Sequence, residues 1–311
     1  MIAKGPFLWD NKRYHSLDYA LKQRFGRKIA KLSLDAGFTC PTRDGTKGAR
    51  GCLFCSSKGS GDFTFPGDIT LQMEAQAGLL RRKWKDCLYI AYFQSFTNTY
   101  GPLDKLKALF DEALAFPGVV GLAVATRCDC LGKEVLELLE AYSKKTFLWV
   151  ELGLQTVSDE TGEVIRRGFT TQEFDESIKA LAQKGIPSVV HLIAGLPGES
   201  KKDFIRSVGH VAGLPVWGVK LQMLHVLTDS DLFEAFQKEP YRLFDREEYI
   251  ELICDALEIL SPLQVVHRLT GDGKKEQVHA PLWTLNKRLV LTEIHQELVK
   301  RKSWQGKFYQ G

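Results

Sequence analysis

The sequence predicts an α/β protein built on a parallel sheet, and three observations carry that expectation. Apolar runs rich in β-branched residues alternate with longer segments of helical periodicity. No antiparallel hairpin signal joins successive runs. The runs are apolar throughout rather than alternating, as expected of strands covered on both faces. The chain of 311 residues suits two domains of about 150 residues or one large barrel. With no internal repeat and no low-complexity linker, one compact unit with terminal extensions is expected. A doubly wound sheet and a partial or complete barrel both satisfy this pattern.

The expected strands are Lys28–Leu34, Leu88–Gln94, Val119–Thr126, Phe147–Gln155, Ile186–Ala194 and Val216–Val226. Helical patterns fall between them at Leu71–Lys85, Leu103–Phe116, Leu131–Lys144, Thr171–Lys184 and Lys201–Val211. Turn chemistry marks the breaks: Asn98 to Pro102, Pro117-Gly118, Gly185-Ile186-Pro187 and Gly195-Leu196-Pro197-Gly198. Glu199-Ser200 then offers a helix N-cap. The core is expected over residues 28–230, after a basic extension over 1–27. A C-terminal extension over 231–311 is expected to hold a helix at Phe244–Leu260, a short strand at Gln264–Leu269 and a basic helix at Pro281–Lys302.

Hydrophobic residues make up 44% and charged residues 26%, which excludes a disordered or fibrous chain. No apolar run approaches the roughly 20 residues of a membrane helix, and the opening MIAKGPFLWDNKRYHS lacks a signal-peptide core. A soluble, cytoplasmic protein is expected, with no membrane partner. The net charge of +4 conceals a split. Residues 1–35 hold eight basic and three acidic side chains and residues 264–311 nine and four, so each end carries +5 and the body −6. Basic ends around an acidic body suit a polyanion such as RNA, or are solvated helix faces.

Seven cysteines, an odd number, do not form a complete disulfide framework. Cys40-x11-Cys52-x2-Cys55 follows the first strand in a loop with Gly45, Gly48, Gly51, Gly59 and Gly61. Three clustered thiolates suit an iron–sulfur cluster. Zinc, which wants a fourth ligand, and unligated core cysteines remain open.

The stretch Lys31-Leu-Ser-Leu-Asp-Ala-Gly-Phe-Thr-Cys-Pro-Thr-Arg-Asp-Gly-Thr46, with Gly51-Cys-Leu-Phe-Cys55, resembles the cluster loop of the YtqA/YhcC (MnmL-type) group of radical S-adenosylmethionine (SAM) enzymes. That group is related to the radical SAM half of the Elongator catalytic subunit. The likeness continues through Tyr92-Phe-Gln-Ser-Phe-Thr-Asn-Thr-Tyr100, Thr126-Arg127, Glu151-Leu-Gly-Leu-Gln155, Arg167-Gly168, His191 to Glu199 and Arg268-Leu-Thr-Gly-Asp272. Thr42, Ala49, Cys128 and Phe169 depart from it, standing where Asn, Gly, Pro and His are usual.

The resemblance implies a partial (β/α)6 TIM-like barrel of the radical SAM type. It implies that Cys40, Cys52 and Cys55 ligate a [4Fe–4S] cluster whose fourth iron takes SAM, and that reductive SAM cleavage gives a 5′-deoxyadenosyl radical. Phe54, Gln94, Ser95, Thr126, Arg127, Glu151, Gln155 and Arg167 are the expected SAM contacts. Glu151 lies in so apolar a run that its carboxylate must be paired or hydrogen-bonded. Cys130 and His225 are the catalytic candidates, and Asn98, Tyr100, His191, Arg268, Asp272, Trp283 and Lys287 the substrate candidates. The mixture of cations and an aromatic near the C-terminus can track phosphates and stack a base. The resemblance points to transfer RNA as partner, to wobble-uridine maturation from 5-carboxymethylaminomethyluridine to 5-aminomethyluridine, and to a reductase such as flavodoxin or ferredoxin as electron donor. A radical SAM enzyme acting on a protein or small molecule, and a zinc-stabilised RNA-binding module, are the competing expectations. The absence of a GxGxxG after a strand excludes a nucleotide-binding dehydrogenase.

Overall fold

The computed structural model describes residues 8–311, so the first seven residues of the expected basic extension lie outside the described residues. β1 (Ile29–Leu34), β2 (Leu88–Phe93), β3 (Val119–Thr126), β4 (Phe147–Gln155), β5 (Ser188–Ala194) and β6 (Gly218–Met223) pair in parallel and in chain order. A doubly wound sheet reverses its order at a switch point, and this one does not reverse. After β7 (Val226–Leu227), β8 (Val265–Arg268) joins beside β6 as the seventh parallel strand. β7 leaves the sheet to pair antiparallel with β9 (Val278–Ala280). The sheet curls into a partial barrel: Trp149 on β4 touches His267 on β8, with ring centroids 5.7 Å apart.

Helices follow the strands. α1 (Leu17–Phe25) precedes β1, and α2 (Ile69–Lys83), α3 (Leu103–Ala115) and α4 (Lys133–Ser143) connect the next three strands. α5 (Asp159–Val164) and α6 (Thr171–Gln183) together join β4 to β5, and α7 (Lys201–Ala212) leads to β6. Beyond β7 come α8 (Asp231–Lys238), α9 (Arg246–Ile259) and α10 (Lys287–Lys300). The main core lies between the outer face of the sheet and the helices, and it includes Val290, Ile294 and Leu298 of α10, which packs on α9. Ser200 caps α7 in a reciprocal capping box with Asp203, as the Glu199-Ser200 signal leads one to expect. No helix among the described residues is long and apolar enough to cross a membrane.

Two expected elements divide. The run Val216–Val226 gives β6 and β7 because β5 ends at Ala194, opposite Met223, and the Leu224 amide makes the last bond to it at 3.0 Å. The run Pro281–Lys302 gives a 3-10 turn, Leu282–Leu285, and then α10, because the Asn286 side chain accepts from the Leu289 amide and starts a new helix. The short helices α1, α5 and α8 were not among the expected elements.

Candidate active site

The loop after β1 carries the three cysteines to the C-terminal end of the barrel, where all three line a cavity of about 250 Å³. Functional residues of parallel barrels gather at this end. The loop is fastened from within and from without. The Arg43 guanidinium donates to the Ser56 carbonyl at 2.7 Å, and the Gly51 amide to the Thr42 carbonyl at 2.7 Å. Gly51 has φ +75°, and a Cβ there would lie 2.7 Å from Arg43 Nε, so only glycine fits beside that guanidinium. From outside, the Leu53 amide donates to Ile165 and the Leu232 amide to Leu53. Asp231 of α8 pairs with both Arg50 and Arg166. Two of the short helices that the sequence did not reveal, α5 and α8, thus clamp the cysteine loop.

All three cysteines are free and half-buried. Thr97 donates its hydroxyl to Cys40 Sγ at 3.0 Å. The Cys52 thiol is drawn down to about 7 by a hydrogen bond from Cys55, with Arg127 and Arg43 adding positive potential. Burial pushes the Cys40 thiol up, with the Thr97 bond opposing. Among the described residues no three metal-ligating side chains close round a single ion position. The thiols instead share one cavity with cations behind them. An all-sulfur donor set of three, on a cavity larger than one ion, fits a cluster with one open corner.

Below this cavity the barrel interior holds a polar layer. Glu151 of β4 is fully buried. Its Oε2 accepts from Tyr92 Oη at 2.7 Å, from Lys220 Nζ, and meets His191 Nε2 at 2.9 Å, while Oε1 accepts from Trp149 Nε1 at 2.9 Å. Lys220 also donates to Tyr92 Oη at 2.9 Å. Burial opposes ionisation of Glu151, but Lys220, the His191 bond and Lys31 outweigh it and hold the carboxyl well below its ordinary range. Burial and the Lys220 charge lower His191 to about 4. Tyr92, Glu151 and Lys220 come from β2, β4 and β6, the alternate-strand layering of barrel interiors. The expectation that Glu151 must be paired is met, and its oxygens are occupied by protein donors.

The other expected site residues fall into two groups. Phe54, Gln94, Thr126, Arg127, Gln155, Arg167, His225, Arg268 and Asp272 line the cavity with the cysteines, Glu151 and His191. Gln94 donates to the Ser60 carbonyl at 2.8 Å. Arg127 forms a two-point pair with Asp129 at 2.9 and 2.8 Å, and Lys47 joins it. Gln155 ends β4 with φ +64°, a costly conformation for a residue with a Cβ. Arg167 gives its donors to the carbonyls of Leu154, Thr156 and Phe169 and to Asp159, and so ties the end of β4 to α5. Arg268 pairs with Asp272 at 2.5 Å. His225 packs where Gly271 and Gly273 leave room for its ring, and burial lowers it to about 4.

Ser95, Asn98, Tyr100, Cys130, Trp283 and Lys287 lie outside the cavity lining. Asn98 donates to the carbonyls of Phe93, Ser95 and Ala125 and braces the turn after β2. The Ser95 side chain is buried against Gly61, and Tyr100 Oη meets Thr46 Oγ1 at 2.9 Å. Cys130 closes a short 3-10 turn, Cys128–Cys130, where burial pushes its thiol up to about 12. Trp283 donates to the Phe244 carbonyl and packs at a tilt beside Tyr249. Lys287 pairs with Asp272. Sequence reading missed Lys220, Tyr92 and Gln222. A lysine inside an otherwise apolar strand run was the available signal for Lys220.

A family model described as the radical SAM superfamily matches residues 45–211, and one described as the radical SAM C-terminal domain matches residues 216–300. The Bacillus subtilis protein YtqA is 42% identical over 314 residues, covering 100% of this chain and 98% of its own length. A tRNA uridine(34) acetyltransferase of Methanocaldococcus jannaschii is 29% identical over 157 residues, 49% of this chain and 28% of that protein. The solved structure of Elp3 from Methanocaldococcus infernus superposes with a TM-score of 0.67 at 16% identity, over 89% of this chain and 64% of that one. At that identity the likeness speaks for the fold, and it agrees with a partial barrel of the radical SAM type. The chain belongs to the radical SAM superfamily, enzymes that work with a [4Fe–4S] cluster and S-adenosylmethionine.

Proposed function

We propose that this radical SAM enzyme acts on the wobble uridine of transfer RNA, converting 5-carboxymethylaminomethyluridine to 5-aminomethyluridine. The observation that carries the site assignment is the convergence of Cys40, Cys52 and Cys55 on one cavity at the C-terminal end of the barrel. In this reading Cys40, Cys52 and Cys55 would hold the [4Fe–4S] cluster, and the cavity they line would take SAM. Bound together and reduced, cluster and SAM supply the 5′-deoxyadenosyl radical that abstracts hydrogen from the substrate. The chain's own part is to hold and shield. Phe54 would pack beside the adenine of bound SAM, and Gln94 and Thr126 would offer polar contacts at strand ends. Arg268 and Asp272 face the substrate, with His225 as a neutral imidazole beside them. A flavodoxin or ferredoxin serves as electron donor.

Two features support RNA as the substrate class. One relative that shares half of this chain is named as a tRNA uridine(34) enzyme. The C-terminal region carries a net +5, with Lys275 and Arg288 exposed. Such a surface should bind RNA with a steep dependence on salt.

The test is anaerobic reconstitution with iron and sulfide, followed by dithionite, SAM and tRNA bearing the substrate nucleoside. Release of 5′-deoxyadenosine and appearance of 5-aminomethyluridine by mass spectrometry are expected, and neither from Cys52→Ala. Neutralising Lys274, Lys275, Lys287 and Arg288 together should weaken tRNA binding and flatten its salt slope. SAM cleavage without any tRNA binding at low ionic strength would retain the chemistry and sink the RNA reading. Stoichiometric zinc with no cluster and no cleavage would overturn the cluster assignment itself.

A further inference from the structure

A second cavity of about 400 Å³ opens at the lateral gap of the barrel, between β1 and β8. The N-terminal segment crosses that gap. Ser16 bridges in parallel to Val266, and the Val266 amide donates to the His15 carbonyl at 2.7 Å. The cavity lining includes Lys12, Lys28, Lys31 and Arg268, against a single acid, Asp18. Lys28 is satisfied by Asp18 and stands over the Trp84 ring at 4.9 Å. Lys12 and Lys31 have no acidic partner among the described residues, whereas Arg268 is paired with Asp272.

Lys31 points from β1 toward the barrel interior and has no ion-pair or hydrogen-bond acceptor among the described residues; its Nζ lies 4.5 Å from the centroid of the Tyr92 ring. Glu151 attracts it, but that carboxylate's oxygens are already occupied by Tyr92, Trp149, His191 and Lys220. Arg268 gives one nitrogen to Gln222 and one to Asp272, and its positive charge opposes that of Lys31. On the same wall both ring nitrogens of His267 are buried without a partner. An ammonium without an acceptor and an unsatisfied imidazole on one open volume are unfavourable without a counter-ion. An oxyanion would satisfy both at once.

We propose that this lateral cavity is a second binding site, for a small oxyanion, phosphate or carboxylate, held by Lys31 with a ring N–H from His267, beside the Asp272-paired Arg268. The site is independent of the RNA reading. Arg268 lines both cavities, so an anion bound here touches a residue of the upper site.

The probe is inorganic phosphate, titrated against the full-length protein and followed by 31P NMR line broadening in a phosphate-free buffer, with acetate as competitor. Saturable broadening is expected. Lys31→Gln should weaken it about tenfold or more, the loss of one charge-assisted bond. Lys12→Gln, at the rim, should weaken it about threefold, on the scale of a single exposed charge. Arg43→Gln, in the upper cavity, should leave it unchanged. Displacement by acetate admits carboxylates to the site, and failure to displace makes it a phosphate site. No saturable binding of either anion overturns the proposal, as does an unchanged affinity in Lys31→Gln or an equal loss in Arg43→Gln. Circular dichroism checks that Lys31→Gln folds. Should it not fold, Lys12→Gln decides, and wild-type affinity there overturns the proposal.

Discussion

The two ends of the barrel interior differ in what they bury: one is closed and apolar, the other open and largely polar. At the lower end Ile29, Ile90, Trp149 and Val189 form a closed apolar cluster with Leu21 of α1, and Phe25, Phe147 and Trp217 pack against it. At the upper end thiols, amides and guanidinium groups share the lining of an open cavity with apolar side chains such as Phe54, Phe169 and Ile193. Alternate residues of a strand face the same side, so the change can be followed along single strands: Ile29 to Lys31 to Ser33, Ile90 to Tyr92 to Gln94, Trp149 to Glu151, Val189 to His191. Each runs from apolar to polar toward its C-terminal end. The apolar packing and the proposed site thereby lie at opposite ends of one axis, with the Glu151 layer as the boundary between them.

The boundary should break most expensively. Lys220→Met leaves the Glu151 carboxylate buried with only neutral donors, which costs about 3–5 kcal/mol. Denaturant unfolding measures it, and a loss under about 1 kcal/mol would mean that the layer does not act as a charge pair. Next, Ile90→Ala at the lower end should cost about 2–5 kcal/mol through the cavity it leaves. SAM cleavage per folded molecule should stay at the wild-type rate, and a drop in that rate would erase the separation between the two ends.

Acid sensitivity sharpens the same boundary. His191 and His225 are lowered to about 4 in the folded protein, against about 6.5 when unfolded. Between those values the unfolded chain binds more protons, so stability rises with pH across that window and is lost as pH falls. Glu151, also lowered, adds its loss at still lower pH. His191→Gln should flatten the slope of unfolding free energy between about pH 6.5 and 4. An unchanged slope would remove His191 from the account.

The same gradient explains what the sequence made legible. β3 and β4 match their expected bounds because unbroken apolar runs announce strands covered on both faces. The cysteine loop was visible because three thiols in 16 residues, Cys40 to Cys55, have few other uses. Lys220 was hidden because one cation inside an apolar strand says nothing of what faces it across the barrel. Glu151 lies on β4 and Lys220 on β6, 69 residues apart in sequence. Trp283, expected on a substrate surface, is half-buried beside Tyr249 and outside the cavity lining. Short helices such as α5 hold too few residues to show a period, although α5 helps clamp the cysteine loop.

The smallest expected effect tests whether position at the upper end is enough to make a residue functional. Thr170 caps α6 in a capping box: its hydroxyl accepts from the Glu173 amide at 3.2 Å, and the Glu173 carboxylate accepts from the Thr170 amide at 2.7 Å. It follows directly on Phe169, which lines the cavity, yet its bonds are spent on orphan helix amides. Thr170→Ala should therefore cost about 1 kcal/mol and leave both the cluster spectrum and the rate of SAM cleavage intact. Equilibrium unfolding gives the first number and 5′-deoxyadenosine release the second. A rate loss larger than the stability loss can explain would show that the cap holds Phe169 and Arg167 in place for the chemistry, and would move the functional boundary outward from the barrel interior to the helix caps.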